Sequence, residues 1–310
     1  MPRVTVLGPQ RLKPALIGAV RDQKIKGKIA TVTAGWQERE DEDQELDEHL
    51  EGRTVNLRLY RRAQELLDGD RELADGLRYR QDRLKDLQNL YRIRLDYVLQ
   101  AARDLIARPG DDPPLEKHRQ SAVLDLRRLD EEHVESVREV HQEYEDRLHL
   151  ANHAGVAEQR AQIAEVIEGC DAIAIAGGHV AVLLNRLRLF DLASHCRRKP
   201  LLVWSAGAMA TGQKVVLFHD SPPQGQGNPE VLDVGLGLFE DLVPLPHARH
   251  RLRMHDVDRV ALFARRFAPS VCVALDEGAR VDLDGERWTH HAGTIRLDPT
   301  GIVVDMGTEQ

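Results

Sequence analysis

The sequence predicts an α/β protein: a mostly parallel sheet flanked by helices, with a long antiparallel helical hairpin inserted into it. Short apolar runs recur at Val4–Leu7, Ile29–Ala34, Asp171–Ala176, Leu201–Val203 and Val271–Leu275, spaced widely enough for helices between them. From about Tyr60 that alternation vanishes, and apolar residues fall at intervals of three and four instead. Finally, Leu201-Leu202-Val203 runs straight into Trp204-Ser205-Ala206-Gly207-Ala208, a small-residue turn that carries a strand into a helix with a serine at the bend.

Taken in order, the chain opens with a strand (Val4–Gly8), a helix (about Leu12–Gln23) and a second strand (Lys28–Ala34). The acidic run Glu38-Arg39-Glu40-Asp41-Glu42-Asp43 reads as the opening of a helix, where carboxylates favour the dipole. Its place after a strand also leaves it able to face a cationic substrate. Thr54–Leu59 reads as a third strand. Residues 1–59 thus form the first part of the α/β domain, 60–152 the inserted hairpin, and 153–310 the second part.

Within the insertion, Leu84, Leu87, Tyr91, Leu95, Val98, Ala102 and Leu105 make one seam. Arg108-Pro109-Gly110-Asp111-Asp112-Pro113-Pro114 breaks it, and Val123, Leu126, His133, Val137, Val140, Tyr144 and Leu148 make a second. Each helix would run about 50 Å at 1.5 Å per residue. Seams this long need a partner, either each other or a second subunit, so a homo-oligomer formed through the hairpin is expected alongside a plain insertion. Beyond it come a helix to about Glu168, the strand Asp171–Ala176, the helix Val180–Cys196, the serine strand and a short strand Val215–Phe218. The Pro- and Gly-rich stretch Ser221–Pro229 suits a loop able to act as a lid. Short antiparallel strands, with a turn at Asp284-Gly285, close the chain.

A serine at such a bend is lifted above the sheet, and the N–H groups of the helix start offer donors to a developing oxyanion. To act as a nucleophile it needs a base and an orienting carboxylate. His247 lies in Leu245-Pro246-His247, where a strand runs out, and Asp276 and Glu277 end the run Val271–Leu275. In an open parallel sheet functional groups collect at the C-terminal strand edge, so all three groups are expected on one shared rim. The Gly178 N–H would be an oxyanion donor beside that of Ala206, against the plainer reading of Gly177-Gly178 as a tight turn. Arg249, Arg251 and Arg253 could fork a substrate carboxylate or simply be exposed charge. Metal binding by His247, His250 and His255 is not expected among so many arginines.

These pieces resemble the serine peptidase family that includes aspartyl dipeptidase (dipeptidase E) and cyanophycinase, built on the class I glutamine amidotransferase-like fold. The resemblance rests on Ala176-Gly177-Gly178-His179, Trp204-Ser205-Ala206-Gly207-Ala208, Gly235-Leu236-Gly237-Leu238, Pro246-His247 and Leu275-Asp276-Glu277-Gly278. It implies Ser205 as nucleophile, His247 as base and, as in cyanophycinase-like members, Glu277 as the orienting acid. Dipeptidase-like members place an aspartate shortly after the nucleophile helix, which makes Asp220 an alternative beside Asp276. His179 stands on the substrate-facing loop where family members carry aspartate or asparagine, and the hairpin has no counterpart in the small dipeptidases. The implied activity is hydrolysis of small or acidic peptides without a cofactor. The rival is a non-catalytic oligomeric scaffold or ligand sensor on the same fold; a thiol amidotransferase is disfavoured by the serine.

Composition narrows the partners. A net charge of −8 over 310 residues gives no basic footprint for nucleic acid. No apolar stretch approaches the roughly 20 residues that span a bilayer. Three scattered cysteines, and a strand-like Val4–Leu7 that leaves no room for a signal peptide, lead to the expectation of a cytoplasmic protein.

Overall fold

The computed structural model describes residues 3–219, 227–285 and 287–308. Asp220 and the 221–226 part of the expected lid lie outside the described residues. The first half runs β1 (Val4–Leu7), α1 (Leu16–Asp22), β2 (Ile29–Val32), α2 (Gln44–His49), β3 (Thr54–Asn56) and α3 (Leu59–Gly69). The long helices α4 (Arg71–Ala107) and α5 (Pro113–Leu148) follow, then α6 (Ala154–Glu168), β4 (Ala172–Ile175), α7 (Val180–Leu189), α8 (Leu192–Cys196), β5 (Leu201–Trp204) and α9 (Ala206–Thr211). The rest comprises β6 (Lys214–His219), β7 (Gly227–Val234), β8 (Leu242–Pro246), α10 (Ala248–Arg251), α11 (Val257–Phe267), β9 (Val271–Leu275), β10 (Arg280–Asp284), β11 (Arg287–His290), β12 (Ile295–Leu297) and β13 (Val303–Asp305).

The main sheet has the order β11-β10-β1-β5-β4-β2-β3. Its strands from β1 to β3 are parallel, and β10 and β11 add an antiparallel edge. Strands β1, β2, β4 and β5 are buried along their whole length, as a sheet covered on both faces requires. Strand β4 shows how the faces divide. Ala172 and Ala174 face a core with Leu16, Val20 and Leu50, while Ile173 and Ile175 face one with Ile163, Leu184 and Leu187. Small residues on one side let α1 and α2 approach closely. Large ones on the other meet α6 and α7.

Serine and histidine do not share a sheet. Strands β8 and β9 pair in parallel within a second, four-stranded sheet of order β13-β12-β9-β8. The expected single rim is therefore replaced by two. At the main sheet's β1 edge it is β10 that pairs, antiparallel, and β8 pairs with β9 instead. Two local expectations also shift. Strand β3 ends at Asn56 rather than Leu59, because Leu59 starts α3. The acidic run is not a helix's first turn: Glu38 and Arg39 end a 3-10 segment (Ala34–Arg39), and Asp43 stands at the N-cap of α2, which begins at Gln44. Glu40 is buried and accepts the N–H groups of Tyr60 (3.0 Å) and Arg61 (2.9 Å), capping α3 from a distance.

The hairpin helices are 37 and 36 residues long. Asp70 and Asp112 cap them by accepting the N–H groups of Leu73 and Leu115, and prolines open the second. Their facing seams close within the chain: Tyr91, Leu95, Leu99 and Ala102 pack with Val123, Leu126 and Leu129, and Leu262 of α11 joins them. Below this core, Arg266 of α11 is 3% exposed and meets Asp130 of α5 in a two-pronged pair, 2.7 Å and 2.6 Å. Tyr91 of α4 donates to the same carboxylate at 2.7 Å. Among the described residues no helix is long and apolar enough to cross a membrane.

Candidate active site

Strand β5 hands the chain to α9 through Ser205, whose φ of 51° and ψ of −123° lie where an L-residue is strained. Such conformations cost about 1–3 kcal/mol and persist where the surroundings over-determine them. Here the surroundings are backbone. A Cβ on Gly207 would overlap the Ile175 carbonyl oxygen, so α9 starts directly over the end of β4. A Cβ on Gly177 would come within 2.7 Å of Ser205 Cβ. Gly178 has a φ of +110° and faces the Gly35 carbonyl, which also accepts the His179 N–H at 2.7 Å. The turn after β4 is thus laid on the turn after β2 and against the serine. The Gly178 N–H donates to no group among the described residues, and Ala206 opens α9, so its N–H has no intrahelical acceptor.

His247 follows β8, with a left-handed φ of 59° and its N–H on the Leu275 carbonyl at 3.1 Å. Partial burial, reinforced by the Arg251 guanidinium, holds its ring below the ordinary imidazole range; the Asp276 charge pulls the other way and Glu277 does so less. The ring is therefore neutral, as a general base must be, at neutral pH. No hydrogen bond joins it to Ser205 Oγ among the described residues. The two side chains line one cavity of about 1000 Å³. Its walls come from the ends of β1 (Gln10, Arg11), β2 (Trp36, Arg39), β4 (Gly177, Gly178, His179), β5 (Ser205, Ala206) and β8 (Pro246, His247).

Neither carboxylate of the Asp276-Glu277 turn lines that cavity. Asp276 is buried behind His247, its Oδ1 accepting the Arg249 N–H at 3.1 Å and its Oδ2 without a hydrogen bond. Glu277 is exposed. The Arg249 guanidinium lies 3.6 Å from Asp276 Oδ2 rather than in the cavity wall, where Arg251 stands instead. His179 does line the cavity, and its Nδ1 caps α7 by accepting the Val182 N–H at 3.3 Å. Among the described residues no cluster of histidine, cysteine, aspartate and glutamate could hold a metal ion.

A strained serine against a glycine-built turn thus shares one cavity with a histidine. The sequence pattern described as Peptidase family S51 matches residues 126–290, over half of the chain. The chain belongs to peptidase family S51. It is a serine-type peptidase. A crystal structure of a peptidase from an acI-B1 Actinobacterium is similar at a TM-score of 0.45 and 11% identity, covering 99% of this chain and 97% of that one. No curated protein sequence matches.

Several residues of the peptidase's cavity were not legible in the sequence. Trp36, His49 and His219 reach it from the turn after β2, from α2 and from β6. Trp36 had one signal, its place directly after the second strand. His49 and His219 had none, because their position depends on how separate elements are laid together.

Proposed function

We propose that the peptidase cleaves small or acidic peptides with Ser205 as nucleophile and His247 as general base. Ser205 Oγ attacks the scissile carbonyl carbon while His247 takes its proton. The Gly178 and Ala206 N–H groups receive the oxyanion. His247 then gives the proton to the leaving amine, and water attacking the acyl-enzyme repeats the cycle. The observation that carries this reading is the strained backbone at Ser205 within the cavity that His247 also lines.

The orienting acid belongs to the Asp276-Glu277 turn. Burial, an unbonded Oδ2 and the stronger pull on the His247 ring favour Asp276; family resemblance implies Glu277. A fluorophosphonate probe tests the whole assignment. Wild type is expected to be labelled at Ser205, and Ser205→Ala to lose both labelling and peptide turnover by several orders of magnitude. No labelling of well-folded wild type would leave the non-catalytic scaffold standing. In the same assay Asp276→Asn is expected to slow labelling far more than Glu277→Gln, and the reverse order would return the acid role to Glu277.

A further inference from the structure

A second cavity, of about 260 Å³, lies between α4, α7 and β7 and shares Ala181 and Leu232 with the catalytic cavity. Its outer wall is the inserted hairpin: Gln81, Leu84, Lys85, Gln88, Asn89 and Arg92 all belong to α4. We infer that this annex is a substrate subsite that takes a carboxylate carried by the peptide away from its scissile bond. The inference rests on the serine-peptidase reading of Ser205 and adds the hairpin to the site.

Charge accounting in the annex leads there. Arg92 is already held by Glu230 through two bonds, 2.6 Å and 2.8 Å. Asp233 is neutralised by Arg188 (3.1 Å) and bonded to His141 (2.8 Å). Gln88 is spent as well, its amide nitrogen on Glu230 and Val231 and its oxygen on His133. What stays available is a set of donors. Lys85 has an exposed 3.4 Å contact with Asp82, a pairing that water readily replaces. Asn185 has its oxygen on Arg80, which leaves its amide N–H groups for a ligand. Gln81 and Asn89 make no side-chain hydrogen bond among the described residues. One uncommitted cation ringed by amide donors suits a carboxylate, supplied by an acidic side chain or by a peptide C-terminus. A peptide lying along Ala181 and Leu232 could occupy both cavities at once.

Binding to the Ser205→Ala protein reads the annex without requiring turnover. The probes are dansyl-labelled alanine hexapeptides, the dye being uncharged: one series with a single glutamate at each position and an amidated end, one all-alanine with a free C-terminus, and one all-alanine amide. Adding Lys85→Glu is expected to weaken a carboxylate-bearing probe by about tenfold and to leave the all-alanine amide unchanged. Loss confined to the glutamate series identifies a side chain as the ligand, and loss confined to the free-acid peptide identifies the terminus. Equal weakening of all probes, or none, overturns the annex as a carboxylate site. If wild type itself is not labelled by the fluorophosphonate probe, the peptidase reading fails while the binding result still decides the annex.

Discussion

The corner at Ser205 and the dock between hairpin and body hold their elements by opposite means. At the corner, backbone meets backbone: Gly177, Gly178 and Gly207 let turns lie where any side chain would intrude, and few polar side chains are involved. At the dock, charged side chains do the holding, with Arg266, Asp130 and Tyr91 buried together and the Pro229 carbonyl accepting from Arg266 at 2.7 Å. The first arrangement fixes positions through repulsion, since no alternative packing fits. The second fixes them through directed bonds whose loss leaves an uncompensated charge in a dry place.

If that contrast is right, breaking the dock costs the most stability. Arg266→Met should destabilise the protein by about 3–5 kcal/mol, since it strands Asp130 and Tyr91; urea unfolding measures it, and a loss below about 1 kcal/mol would make the dock ornamental. Relaxing the corner should act in the other direction. Ser205→Gly removes the proposed nucleophile yet should raise stability by roughly 1–2 kcal/mol, because glycine carries no strain at that φ. A fall in stability in that variant would show the serine side chain to be part of the packing. The smallest effect sharpens the link between the two sheets. Burial first, and the Arg251 charge second, keep the His247 ring below its ordinary range, so activity should persist to lower pH than an unperturbed imidazole allows. Arg251→Met removes that repulsion, so the acidic limb of kcat/KM should move to higher pH. A limb unmoved, or moved lower, would separate the arginine from the base.

Elements whose periodicity is set locally are readable in the sequence. The main-sheet strands, both hairpin seams and the serine turn are cases where one segment's own pattern decides its state. His247, Asp276 and Glu277 could be picked out because each follows an apolar run. Their sheet could not, since which strands pair is decided by contacts between separate segments, β8 with β9 and β9 with β12, rather than by any one run's own pattern. The same holds for Glu40, whose role as a cap depends on α3 beginning at Leu59, well along the chain. Arg251, rather than Arg249, lines the cavity because a short helical turn after His247 rotates one inward and the other toward Asp276.

Placing His247, the proposed base, after a strand of the second sheet has a consequence for folding. Ser205 and its glycine-built turn lie on strands that leave the ribosome well before β8, β9 and β12, which seat His247 and Asp276. With His247 as the proposed base, the site is complete only once β8 and β9 have paired in the second sheet.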